Sequence, residues 1–124
     1  MSNLALVIED NTDLAIIFTE ALQVAGFETE TILDGSKAAE RLAAVTPEVV
    51  VLDLHLPNVS GREILKQIQT DARLAGTHVI LATADARLAD MMENEADLVL
   101  VKPVSFSQLR DLVKRLKPAA PPDK

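Results

Sequence analysis

Five polar residues of this sequence stand directly after short apolar runs, where they could act together in chemistry. They are Glu9 and Asp10 after residues 4–8, Asp53 after residues 49–52, Thr83 after residues 79–82, and Lys102 after residues 98–101. Runs of this length, rich in aliphatic residues, are typical of strands buried on both faces of a parallel sheet. Because the carboxyl ends of parallel strands meet at one edge, we expect these side chains to share a pocket.

Asp53 is the residue that we expect to react. An ionised carboxylate at the end of a buried strand is costly without a cation, a metal ion or a proton as its partner. Three crowded carboxylates repel one another, and a hard divalent cation relieves that repulsion. Mg²⁺, with Mn²⁺ as the alternative, suits carboxylate and phosphate oxygens. The set predicts an acyl phosphate on Asp53, with Lys102 and the cation on phosphoryl oxygens and a hydrogen bond from Thr83.

Each of these residues also has a simpler structural interpretation. A single Asp after a strand more often caps a turn or the next helix, which applies to both Asp10 and Asp53. Thr83 on its own would be a β-branched strand end, and Lys102 a solvated strand end. Only their convergence at one sheet edge would favour chemistry over these roles.

The composition restricts the class of protein. A length of 124 residues predicts one domain, and a net charge of −7 argues against broad contact with nucleic acid or an anionic membrane surface. Residues 1–60 carry ten acidic and two basic residues, which indicates that this half holds something cationic. There is no cysteine, and His55 and His78 are not spaced as zinc ligands. Without a signal peptide or an apolar run of about 20 residues, we expect a cytoplasmic protein with no membrane insertion.

Five predicted strands alternate with five predicted helices along the chain. Asn11 or Thr12 should cap the first helix, Asp85 the fourth and Ser105 the fifth. The third helix is expected from Gly61 to about residues 75–76. Strand–helix alternation favours an α/β fold whose parallel sheet is covered by helices on both faces. A flavodoxin-like strand order of 2-1-3-4-5 is one common solution, which periodicity alone does not establish.

The sequence resembles the receiver domains of two-component response regulators over about residues 3–117. The resemblance rests on Glu9-Asp10, on Asp53 with Pro57 and Gly61 behind it, on Thr83, and on Lys102-Pro103. It implies a (βα)5 three-layer sandwich with the strand order 2-1-3-4-5, similar to the single-domain chemotaxis regulators. We therefore assign residues 1–117 to a receiver domain and residues 118–124 to a Pro-rich flexible tail.

The resemblance implies a role for each site residue. Asp53 would accept the phosphoryl group, Asp10 and Asp53 would bind the metal directly, and Glu9 would bind it through water. The backbone carbonyl of His55 would be a further ligand. Lys102 would pair with the carboxylate and later the phosphate, and Thr83 would move towards a phosphoryl oxygen. A cis peptide bond between Lys102 and Pro103 is also implied. The sequence departs from the family at Val99, where a Tyr or Phe usually reports phosphorylation.

These residues lead to the expectation of a stand-alone receiver that is phosphorylated by a sensor histidine kinase or a histidine phosphotransfer protein. An unidentified protein would bind the face formed by the fourth helix, fifth strand and fifth helix. The alternatives are a phosphorelay intermediate, a receiver detached from a hybrid kinase, and a binding module without phosphorylation. A Mg²⁺-dependent phosphatase is less favoured because such enzymes often carry a second Asp two residues after the nucleophile, where this chain has His55. We expect no turnover of small-molecule substrates.

Overall fold

A computed structural model describes residues 3–116 as five strands, each followed by a helix. The strands are β1 (Leu4–Ile8), β2 (Glu28–Ile32), β3 (Val49–Asp53), β4 (His78–Thr83) and β5 (Leu98–Val101). The helices are α1 (Thr12–Val24), α2 (Gly35–Ala44), α3 (Gly61–Thr70), α4 (Ala86–Met91) and α5 (Phe106–Leu116). A 3-10 helix, Ala72–Leu74, lies between α3 and β4.

All strand pairs are parallel, and the sheet has the order β2-β1-β3-β4-β5. This is the flavodoxin-like order that the resemblance implies, so the predicted fold is confirmed. The central strand β3 is buried along its whole length, whereas β2 at one edge exposes Glu28 and Thr31. Helices on both faces explain why the inner strands are continuous apolar runs.

Side chains of successive strand residues point to opposite faces of the sheet and divide the core into two layers. Leu6 and Ile8 of β1 face α2 and α3, whereas Ala5 and Val7 face α1 and α5. The fully buried Phe18 of α1 belongs to the second layer. The molecule is therefore the predicted three-layer sandwich, with the sheet between two helical layers.

The predicted helix caps are largely confirmed. The side chains of Asn11, Asp34 and Asp85 accept backbone hydrogen bonds at the starts of α1, α2 and α4, and Ser60 forms a capping box with Glu63 at α3. Ser105 Oγ accepts from the Gln108 N–H at the start of α5. These caps satisfy N–H groups that have no partner within the helix.

The predicted end of the third helix is wrong. We expected it near residues 75–76, but α3 ends at Thr70 because Asp71 has extended backbone angles (φ −104°, ψ 111°). The Asp71 carboxylate accepts from the Arg73 N–H at 3.0 Å and begins a separate 3-10 helix. A short acidic side chain that bonds to the backbone two residues ahead competes with helix continuation.

Two further expectations concern the fourth helix and the chain end. For Met91 and Met92 the sequence leaves two roles open, core filling, which is the more usual, and a soft partner-binding surface. Met92 is buried, whereas Met91 is 66% exposed at the end of the short α4. The predicted Pro-rich tail at residues 118–124 lies outside the described residues. Within residues 3–116, every helix is too short or too polar to cross a bilayer.

Candidate metal centre at the carboxyl edge of the sheet

The sheet brings four of its strand ends to one edge. β3 ends on Asp53, and the Leu54 N–H continues the strand pairing by donating to the Ala82 carbonyl at 3.2 Å. The Glu9 N–H likewise donates to the Ile32 carbonyl at 3.0 Å, just beyond β1. Between β4 and β5, the Lys102 N–H donates to the Thr83 carbonyl at 2.8 Å. The predicted site residues are therefore held by backbone pairing at the carboxyl ends of the strands.

Three carboxylates converge at this edge. Glu9, Asp10 and Asp53 each offer an oxygen, and these three oxygens lie within 4.8 Å of one another. Glu9 and Asp53 are buried, at 1% and 3% exposure, whereas Asp10 is exposed. The predicted convergence of these acids is what the structure shows, with one acid open to solvent.

Lys102 lies between two of the acids. Its Nζ is 2.9 Å from Glu9 Oε1 and 3.5 Å from Asp53 Oδ2. The expected pairing of Lys102 with Asp53 is therefore present, but the shorter contact is to Glu9. One ammonium for three carboxylates leaves the cluster negatively charged, which favours a further cation.

The pKa of Glu9 is raised from 4.5 to about 7, chiefly by burial and also by the charge of Asp53. The contact with Lys102 and the hydrogen bond from the Asn11 N–H to Glu9 Oε2, 3.2 Å long, lower this pKa. Desolvation disfavours the charged form of a carboxyl group more than these two contacts favour it. Glu9 is thus a buried acid that a bound cation would help to keep ionised.

The cluster fits a hard oxygen-binding cation. Its three donors are carboxylates with no histidine or cysteine, which suits Mg²⁺ or Mn²⁺ and not zinc. Among residues 3–116, the buried Glu9 Oε1 has no hydrogen-bond partner apart from its ion pair with Lys102. A carboxylate oxygen has two lone pairs, so beside its contact with Lys102 this atom has capacity for a metal-bound water.

Thr83 is close to Asp53 across the sheet, and His55 is close to it along the chain. The Thr83 side chain is fully buried, one residue beyond Ala82, which is the register partner of Asp53. Its Oγ1 accepts from the Asp85 N–H at 3.1 Å. The N–H of the exposed His55 donates to Asp53 Oδ1 at 3.0 Å. The implied metal-binding role of the His55 carbonyl stays a prediction, whereas the implied cis bond between Lys102 and Pro103 is present.

Two close backbone approaches escaped the sequence analysis. A Cβ at Gly61 would lie 2.2 Å from the carbonyl oxygen of Asp53, and a Cβ at Gly35 would lie 1.7 Å from that of Val59. In the sequence, Gly61 indicates a helix start and belongs to the motif behind Asp53, and Gly35 indicates a turn and helix cap together with Asp34 and Ser36. A glycine after a polar loop residue is a weak signal, because it does not name the segment that approaches it.

The family model for the response regulator receiver domain matches residues 5–114. This chain belongs to the receiver domain family. The receiver domain is 33% identical over 123 residues to the probable methanogenesis regulatory protein FilR2 of Methanothrix harundinacea, covering 90% of this chain and 79% of that relative. It is 32% identical over 120 residues to the phosphate regulon transcriptional regulatory protein PhoB of Rhizobium meliloti. That match covers 94% of this chain and 53% of PhoB, so the chain spans about half the length of that relative.

The fold of the receiver domain is shared with solved response regulators. The crystal structure of TrrA from Thermotoga maritima, in complex with Mg²⁺-BeF, has a TM-score of 0.79 and 29% sequence identity. The similarity covers 94% of this chain and 99% of TrrA. This similarity therefore extends over nearly all of the chain.

Proposed function

We propose that this receiver domain accepts a phosphoryl group on Asp53 and signals through contacts with other proteins. The observation that carries the proposal is the buried Asp53 carboxylate beside Glu9, Asp10 and Lys102 at one sheet edge. The donor is the phosphohistidine of a sensor histidine kinase or of a histidine phosphotransfer protein, as in the family. The domain acts in the cytoplasm and turns over no small-molecule substrate.

In the transfer step, an oxygen of Asp53 attacks phosphorus, an O–P bond forms, and the N–P bond to the donor imidazole breaks. The His55 N–H holds Asp53 Oδ1 and orients the carboxylate. Lys102, already 3.5 Å from Asp53 Oδ2, stabilises negative charge on the transferred group. Bound at Asp10 and Asp53, and at Glu9 through water, Mg²⁺ or Mn²⁺ would neutralise charge on the phosphoryl oxygens.

The readout begins at Thr83. Its hydroxyl accepts from the Asp85 N–H, and Asp85 is the N-cap of α4. When the Thr83 side chain rotates so that its hydroxyl donates to a phosphoryl oxygen, the oxygen moves away from that N–H, which biases the start of α4 between two arrangements. Met91 at the end of α4 and Val101 at the end of β5 are large apolar side chains that are 66% and 45% exposed, which supports a protein partner at the α4–β5–α5 face.

A phosphorelay intermediate is the second candidate function, and Val99 favours it. Val99 is half-buried and packs against the core cluster of α2 and α3. An aliphatic side chain here cannot swing a ring between buried and exposed positions, so less conformational change accompanies phosphorylation. Fast, reversible transfer of the phosphoryl group from Asp53 to a histidine phosphotransfer protein would favour this role over signalling through a long-lived phosphorylated state.

The test is incubation with Mg²⁺ and radiolabelled acetyl phosphate. The wild-type chain should take up label, Asp53→Asn should take up none, and EDTA should abolish labelling. Asp90→Asn, which alters an exposed acid on α4, is the control and should label as the wild type does. Circular dichroism confirms that each variant is folded. Label that persists in Asp53→Asn would place the acceptor on another residue and contradict the proposal.

A further inference from the structure

The segment that follows Asp53 makes a close backbone contact with the start of α2. This β3–α3 loop, residues 54–60, leaves the reactive strand end and leads into α3 at Gly61. The N–H of Gly35, the first residue of α2, donates to the Pro57 carbonyl at 3.1 Å. A helix that begins 18 residues before Asp53 in sequence therefore touches the loop that carries His55.

The contact leaves no space for a side chain on α2. A Cβ at Gly35 would lie 1.7 Å from the Val59 oxygen, 2.6 Å from its carbonyl carbon and 2.9 Å from its Cα. All three are backbone atoms, so no rotamer change can relieve the overlap. The loop also turns at Asn58 with a φ of 71°, a left-handed conformation that few residues other than glycine adopt at low cost.

A side chain added at Gly35 would lengthen its contact with Val59, and we expect the loop, rather than α2, to be displaced. α2 is anchored in the core by Ala38 and Leu42, both fully buried, whereas Pro57 and Asn58 are exposed. Retreat of α2 would open a cavity beneath it, which costs more than displacing a surface loop. The other end of the loop is held near Asp53, because the Gly61 N–H donates to the Leu54 carbonyl at 3.3 Å.

We propose that Gly35 is a positioning residue for the phosphorylation site, which it serves by setting the distance between α2 and the β3–α3 loop. It acts through Pro57 on the nearby His55, whose N–H holds Asp53 Oδ1. The inference rests on the proposed function for the identity of the ligand, Mg²⁺, but not for the loop contact itself. Residues that orient a metal ligand in this indirect way commonly change affinity by about 10- to 100-fold when altered.

The chain contains a matched control for this substitution. A Cβ at Gly76 would meet no atom within 4 Å, so Gly76→Ala adds the same methyl group in open space. We expect Gly35→Ala to raise the Mg²⁺ dissociation constant about tenfold or more, and Gly76→Ala to change it less than about twofold. Isothermal titration calorimetry is the measurement, since the chain has no Trp or Tyr to report binding by fluorescence.

A metal-free readout separates positioning from a loss of stability. In EDTA, the backbone amide resonance of His55 should shift in Gly35→Ala and stay in place in Gly76→Ala. A lower melting temperature with an unmoved His55 resonance and unchanged Mg²⁺ affinity would mean that Gly35 is merely structural, and would overturn the proposal. If the wild-type chain bound no Mg²⁺, the proposed function would fail, while the EDTA comparison would still decide the role of Gly35.

A measurement on the wild-type chain covers the case in which Gly35→Ala does not fold. During a Mg²⁺ titration, the Gly35 amide resonance should shift along the same binding curve as that of His55, while the Gly76 resonance stays constant. A Gly35 resonance that does not move when the site is saturated would show that α2 and the loop are uncoupled, and would refute the inference.

Discussion

Lys102 neutralises Glu9 more directly than it does Asp53. Its Nζ is 2.9 Å from the Glu9 oxygen and 3.5 Å from the Asp53 oxygen. Glu9 is also the more buried acid, at 1% exposure, so removing its cation would leave a desolvated carboxylate. We therefore assign two roles to Lys102. Before the proposed reaction it neutralises the buried Glu9 carboxylate, and during transfer it stabilises negative charge on the phosphoryl oxygens.

The stability of the metal-free protein should fall as the pH rises through the pKa of Glu9. The folded pKa is raised from 4.5 to about 7, so the folded state binds more protons than the unfolded state between these values. The contribution of protonated Glu9 to the free energy of unfolding is complete below about pH 4.5 and is lost as the pH rises through about 7. The loss is on the order of 3 kcal/mol for a shift of this size.

Thermal unfolding in EDTA at several pH values checks this prediction. Glu9→Gln, which cannot ionise, should show a smaller decrease in melting temperature between pH 5 and pH 8 than the wild-type chain. Glu20→Gln removes an exposed acid on α1 and should follow the wild-type curve. Parallel curves for Glu9→Gln and the wild type would mean that Glu9 is ionised throughout.

At the scale of elements, one side chain connects the 3-10 helix to the end of α2. The Arg73 guanidinium donates to the carbonyls of Leu42 and Val45 and to the Thr46 hydroxyl. The last carbonyls of a helix have no partner within it, and a positive charge there is favourable. Arg73 thus caps carbonyls at the end of α2 from outside that helix.

Replacing Arg73 should destabilise the fold without altering the site. Arg73→Ala should lower the free energy of unfolding by about 1–3 kcal/mol, the usual contribution of hydrogen bonds from a charged group. Arg62→Ala truncates an exposed arginine on α3 and should change it by less than about 0.5 kcal/mol. Urea denaturation followed by circular dichroism measures both. Equal stability of the two variants would remove Arg73 as a cap.

At the scale of the whole molecule, the excess of acidic residues is concentrated in the first half of the chain. The net charge is −7, and residues 1–60 hold ten acidic and two basic residues, including all three carboxylates of the candidate metal centre. Folding brings Glu9 and Asp10 against Asp53, although more than forty residues separate them in sequence. A cation bound there lowers the repulsion only in the folded state, so binding and folding are linked.

Mg²⁺ should therefore stabilise the folded chain. At a concentration 100 times the dissociation constant, linkage predicts a gain of about 2.7 kcal/mol in the free energy of unfolding, which EDTA should reverse. Asp10→Asn should reduce the gain, because it removes the exposed acid of the cluster. Asp13→Asn, three residues along the chain in α1, should keep it. Melting temperatures with and without Mg²⁺ test this, and an equal gain in both variants would exclude Asp10 as a ligand.

The sequence by itself determined which residues would meet. The apolar runs predicted buried parallel strands, and parallel strands bring their carboxyl ends to one edge, where Glu9, Asp10 and Asp53 could converge. Strand–helix alternation predicted the layers, and the resemblance supplied the strand order. These predictions succeeded because each depends on local periodicity and on a general rule of sheet geometry.

Only the tertiary structure decided how closely the parts approach. Lys102 lies closer to Glu9 than to Asp53, and Gly35 contacts the backbone of Val59. Both features depend on distances between elements that are far apart in sequence. The end of α3 before Asp71 depends on the Asp71 carboxylate accepting from the Arg73 N–H, which competes with continuation of the helix. Sequence patterns record which face of an element is buried, but distances of this kind arise from packing all the elements at once.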